Sequence, residues 1–122
     1  VSADTPFTYW FTVDHVYDGD TIMGQLDMGL AHYLGNVPKP TYAVRLYGIN
    51  APELNATDPA IRAAAVASRD NLQTLLNPGD YIKVTSYGWD KYKMRIDGVP
   101  FTTTGEDCCQ AQLLGAFAVV YP

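Results

Sequence analysis

The chain has 122 residues, 48% of them hydrophobic and 17% charged, with a net charge of −5 at neutral pH. That length makes one domain, residues 1–122, able to bury roughly two-thirds of its unfolded surface, and the composition excludes a disordered chain. No run approaches the about 18 apolar residues that cross a bilayer, and so acidic a balance argues against tight, unselective binding to duplex DNA.

Tyr9 to Val16, YWFTVDHV, is rich in aromatic and β-branched residues and predicts the first strand, interrupted by Asp14 and His15. No second His lies near His15, which reads as a rim residue rather than a metal ligand. Asp18-Gly19 is a hairpin signal, and Asp18-Gly19-Asp20-Thr21 sets two carboxylates on one tight turn. A second strand follows from Thr21 to about Asp27. Between Met28 and Pro40 the Gly, Asn and Pro content marks a loop or an irregular hairpin tip.

The third strand leads into Arg45–Glu53, RLYGINAPE, where Val44, Leu46 and Ile49 alternate with Tyr42, Arg45 and Tyr47. The strand is left at Gly48 and the chain turns at Asn50-Ala51-Pro52, since Pro52 cannot donate to a ladder. Nine residues thus deliver a guanidinium, an amide oxygen, a backbone carbonyl and a carboxylate to one strand end. With the two upstream aspartates, these are the parts of a metal-assisted phosphodiester site.

Asp58 is a cap and Pro59 fits a first helical turn. Ile61, Ala65, Leu72, Leu75 and Leu76 recur at helical spacing until Asn77-Pro78-Gly79 stops the helix. Tyr81 to Ser86 predicts a fourth strand, a fifth follows Trp89-Asp90-Lys91-Tyr92, and Asp107–Leu114 predicts a short helix before an extended AFAVVY tail. Five strands, one long helix between the third and fourth, and a short helix near the end make an α+β, β-rich barrel of the OB type. The adjacent Cys108 and Cys109 cannot meet ordinary disulfide geometry and read as small buried helix residues. Asn55-Ala56-Thr57 matches a glycosylation sequon, a pattern short enough to arise by accident.

DGDT, then R-L-x-G-I-N-A-P-E, then an alanine-rich helix, then W-D-K-Y resembles the thermonuclease family of staphylococcal-nuclease-like domains, over Val13 to Tyr121. The resemblance implies Ca²⁺ as cofactor, with Asp20 as direct carboxylate ligand, Ala51 giving its carbonyl, and Asp18 and Thr21 supporting the metal shell. Asn50 stands where many relatives carry Asp, so one ligand charge is lost and binding should be weak. Glu53 matches the general base or water-positioning group, and Arg45 the first phosphate-binding arginine. Lys91, Tyr92 and Tyr121 match or approach positions that contact a nucleotide's phosphate and base.

The second arginine departs from the family pattern D-K-Y-G-R, because this chain reads Asp90-Lys91-Tyr92-Lys93-Met94-Arg95. Without a gap Met94 takes the arginine's position; a β-bulge after Tyr92, the preferred reading, turns Arg95 toward the site. The implied activity is hydrolysis of single-stranded or frayed DNA and RNA to 3′-phosphates, with low sequence preference. The rival reading is a catalytically weak or idle module that binds or builds, for instance as a phage accessory protein. The 28–40 segment is longer than the family hairpin and reads as a surface excursion or a protein-binding loop. The chain is read as a monomer off the membrane. No signal peptide is visible in VSADTPFTYW, which prefers a cytoplasmic or phage-associated setting to a secreted one.

Overall fold

The structure is a computed structural model that describes residues 7–27, 41–89 and 95–120. Its elements are β1 (Phe7–Asp18), β2 (Thr21–Asp27), β3 (Thr41–Leu46), β4 (Ile49–Asn50), α1 (Pro59–Leu75), β5 (Tyr81–Trp89), β6 (Ile96–Pro100), α2 (Cys108–Leu114) and β7 (Val119–Val120). Five strands close into a barrel in the order β1-β2-β3-β6-β5, and β4 and β7 form a separate two-stranded sheet. All barrel pairs are antiparallel except β3 with β6. A parallel pair needs a crossover, and here α1 and β5 supply it. The α+β barrel of OB type expected from the sequence is therefore the observed architecture.

Period-2 alternation fills the barrel. Phe11 and Val13 of β1, Ile22 of β2, Val44 and Leu46 of β3, Ile82 and Val84 of β5 and Ile96 of β6 all lie in one buried cluster. β1 is longer than the sequence suggests, because two register shifts, at Val13/His15 and Val16/Asp18, absorb the polar Asp14-His15 interruption. A third shift, at Ser86/Gly88, lets β5 run on to Trp89. Gly24 sits where a side chain would stand 2.2 Å from the Thr12 carbonyl oxygen, so β1 and β2 coil tightly only because it is glycine.

α1 begins as the Asp58-Pro59 signal predicts: the Asp58 carboxylate accepts from the Ala60 amide at 2.9 Å. Ala65, Ser68 and Leu72 face the barrel and Leu76 follows them into the core. Ile61, expected on that face, is 45% exposed, as the whole stretch 59–64 is exposed and the buried face begins at Ala65. α2 is capped by Asp107, which accepts from the Gln110 amide at 3.0 Å. Cys108 and Cys109 are free and buried, and burial pushes each thiol up to about 12. Both stay protonated and unreactive at neutral pH. Among the described residues no helix is long and apolar enough to cross a membrane.

Candidate active site

Two turns meet at one end of the barrel. The first joins β1 to β2, with Asp18 paired to Thr21 across Gly19-Asp20. Asp18 Oδ1 accepts from the Asp20 amide at 3.1 Å, the side-chain-to-backbone bond that Asp makes readily in turns. The second turn follows β3, where Gly48 takes φ 79°, a conformation that returns the chain as β4. β7 then pins β4, pairing Ile49 with Val120 and Asn50 with Val119.

Strand register decides what these turns bring together. Thr21 pairs with Arg45, and the Leu46 amide donates to the Asp20 carbonyl at 2.7 Å. The Asp20 side chain is thereby delivered to the base of the second turn. Its Oδ2 accepts from the Ala51 amide at 3.0 Å, and its Oδ1 accepts from the Thr21 hydroxyl at 3.2 Å. Arg45 Nη2 lies 4.0 Å from Asp20 Oδ2 and 3.5 Å from Asn50 Oδ1. Asp18, Asp20, Thr21, Arg45, Asn50 and Ala51 thus form one contiguous group.

Asp20 and Thr21 are buried, Asp18 and Arg45 half-buried, and Asn50 and Glu53 exposed. Glu53 stands two residues beyond Ala51, and chain geometry keeps the two Cα atoms within about 7 Å. No side-chain hydrogen bond or ion pair ties its carboxylate to a described residue. Arg95 is half-buried and directly precedes buried Ile96. Parallel pairing sets Ile96 beside Val44 and Asp97 beside Arg45, and Arg95 stands in the bend just before β6. Lys91, Tyr92, Lys93, Met94 and Tyr121 lie outside the described residues, as do the bulge expected after Tyr92 and the 28–40 segment.

The electrostatics follow from crowding. Burial, then the hydrogen bond and negative charge of Asp20, raise Asp18 from the ordinary aspartate value of 3.8 to about 6. Near neutral pH this leaves two carboxylates in a half-buried turn with the Arg45 guanidinium against one of them. Added positive charge on the open side of the turn is favoured there. The donors present, two carboxylates, an amide oxygen and a backbone carbonyl, are all hard oxygens of the kind Ca²⁺ takes. They fit that ion by type. Only two carry charge, and among the described residues no three His, Cys, Asp or Glu side chains converge as a metal cluster.

Sequence reasoning missed Gln112. This side chain of α2 is fully buried. Its Nε2 donates to the Gly19 carbonyl at 2.7 Å, to the Ser68 carbonyl at 3.0 Å and to Ser68 Oγ at 3.2 Å. Its Oε1 accepts from Asn71 Nδ2 at 2.6 Å. One amide therefore ties both helices to the turn between Asp18 and Asp20. Gly19 completes the joint: a Cβ there would lie 1.9 Å from Ser68 Oγ and 2.9 Å from the Ala51 methyl. Beside the site, Asn50, Ala51, Pro52 and residues 116–119 line an open hollow of about 240 Å³. No family model matches the chain, and no curated protein matches it.

Proposed function

We propose that the chain is a Ca²⁺-dependent phosphodiesterase that hydrolyses single-stranded or frayed DNA and RNA with low sequence preference. The observation that carries this reading is the Asp20 clamp, one buried carboxylate held by the Ala51 amide and Thr21 hydroxyl with Arg45 4.0 Å away. A carboxylate preorganised in this way, next to a guanidinium and an open edge, suits a site for a dianionic transition state.

Asp20, Asn50 and the Ala51 carbonyl would hold the ion, with Asp18 and Thr21 setting the orientation of Asp20. When bound, Ca²⁺ supplies charge to the phosphoryl oxygens. Arg45 offers its fork to the same oxygens, with Arg95 as the second cation of the site. Glu53 takes a proton from the attacking water. The new bond is water oxygen to phosphorus, the bond broken is phosphorus to the 5′ oxygen, and that oxygen leaves as a hydroxyl after protonation from solvent. The products are a 3′-phosphate and a 5′-hydroxyl.

A gel assay on single-stranded DNA with added calcium tests the assignment. Glu53→Gln should slow cleavage by at least about 100-fold, within the range for a lost general base, and a calcium chelator should abolish it. Cleavage by Glu53→Gln at the parent rate would remove the proposed mechanism. The neutral Asn50 donor and the excess acidic charge favour a second reading, a module of the same fold that binds without cleaving. It predicts no turnover at high protein and calcium.

A further inference from the structure

The outer faces of β1 and β5 carry groups that the hydrolytic site does not use. Ile82, Val84 and Ser86 point into the core, so Tyr81, Lys83, Thr85 and Tyr87 alternate onto the outside of β5. Trp10 pairs with Lys83 across β1 and β5. Its ring stacks on Tyr81 with centroids 4.7 Å apart and planes 1° apart, and Lys83 Nζ lies 5.3 Å from the Trp10 centroid. These groups, with Phe101 and the 102–105 loop, line a hollow of about 580 Å³ with no carboxylate among its described lining residues.

At the other end of the same strand face Tyr87 stacks on Tyr47, centroids 4.3 Å apart. Tyr47 is two residues past Arg45. Six residues of strand separate Tyr81 from Tyr87, about 20 Å at the usual rise. The hollow and the candidate site are thus joined along one side of the barrel by aromatic pairs with a cation between them. Two carboxylates flank this track: Asp27, which accepts the Tyr81 hydroxyl, and Asp97, which lies beside Arg45 in register. No ion pair occupies Lys83 among the described residues.

We propose that this face is a second binding site, a track for the single-stranded part of a nucleic acid whose scissile phosphate lies at the Asp20 turn. It rests on the nucleic-acid reading for its ligand, though not on cleavage. Bases stack on the Trp10–Tyr81 and Tyr47–Tyr87 pairs, and a backbone phosphate meets Lys83. Threonine hydroxyls around the hollow can donate to phosphate and sugar oxygens. One cation among the described residues of the hollow, set among hydroxyls and aromatic rings on a protein of net charge −5, fits a strand held by stacking more than by charge. An apolar peptide helix would leave those hydroxyls and the ammonium dry.

The test is fluorescence anisotropy with a labelled oligothymidylate of roughly sixteen nucleotides, the upper end of single OB-fold site sizes. A chelator is present throughout so that no strand is cut. Trp10→Ala should weaken binding by about 10-fold or more, the scale of one lost stacking platform. Lys83→Gln, an exposed change that spares the fold, should also weaken binding. The charge-matched Arg69→Gln on α1 should not, and thermal melts report whether each variant is folded. Saturable binding that ignores both Trp10→Ala and Lys83→Gln overturns the track while leaving the hydrolytic reading intact. No binding by the folded parent overturns it too. Binding that depends on both residues, in a protein that never cleaves with calcium, keeps the track and removes the hydrolase.

Discussion

Gly19 is glycine because of what stands behind it. The Asp-Gly pair suggests a hairpin whose glycine supplies positive φ, yet among the described residues the positive-φ glycines are Gly48, Gly79, Gly88 and Gly105. Gly19 instead leaves room for Ser68 and Ala51. Gly19→Ala should therefore destabilise by about 1–3 kcal/mol through overpacking, read as a lower urea midpoint with an unchanged slope. Asp18 makes the second prediction at this scale. Its folded value of about 6 lies above its ordinary 3.8. The native state therefore holds this proton more tightly, and the stability linked to it is full below pH 4 and lost as pH rises through about 6. A shift of this size corresponds to about 3 kcal/mol, which partial solvent exposure reduces to about 1 kcal/mol. Asp18→Asn, which can still accept from the Asp20 amide, should remove that pH-dependent loss and melt higher than the parent above pH 6. The two motifs around these residues were legible because turns demand particular residue types. The reason for Gly19 was not, because it depends on a helix 49 positions away in the chain.

At the scale of elements, the helices do more than cover the barrel. Gln112 is the joint through which α1 and α2 hold the β1–β2 turn. Gln112→Ala strands the Asn71 amide and two carbonyls and opens a hole, together about 3 kcal/mol. Its more specific effect is on calcium: titration should give a weaker Kd for Gln112→Ala than for Leu72→Ala, a core truncation of similar cost that leaves the turn clamped. Equal calcium affinities would reduce Gln112 to a packing role. A polar residue in a short helix reads as solvent-facing, so this function had no sequence signal. α1 was legible from Asp58-Pro59, whose cap forms as expected, and α2 from the Asp107–Leu114 stretch, where Asp107 proves to be the cap rather than the first helical residue. β7 falls within the extended AFAVVY tail, but β4 was not legible, because two residues carry no periodicity and its existence rests on pairing with β7.

For the whole molecule, the parallel β3–β6 pair turns an open sheet into a barrel and sets Arg45 beside Asp97. The five barrel strands and the place of the long helix were readable in the sequence because alternation and punctuation are strong there. Barrel closure was readable only by analogy with the few ways five such strands can close. Few cations serve this surface, and that shapes how it should respond to salt. With Arg45, Arg95 and Lys83 as phosphate contacts, the log–log salt slope for single-strand binding should be about −2. A much steeper slope would mean that other basic residues carry the interaction.

The buried neighbours Cys108 and Cys109 sit on the same short helix as Gln112. Protonated and sealed, they are silent toward alkylating reagents while the barrel is shut. Their modification is then a clock for breathing of the end that carries Asp18 and Asp20, ticking only in the moments when α2 lifts. The protein thus carries its own native probe of how firmly its acidic turn is kept in shape.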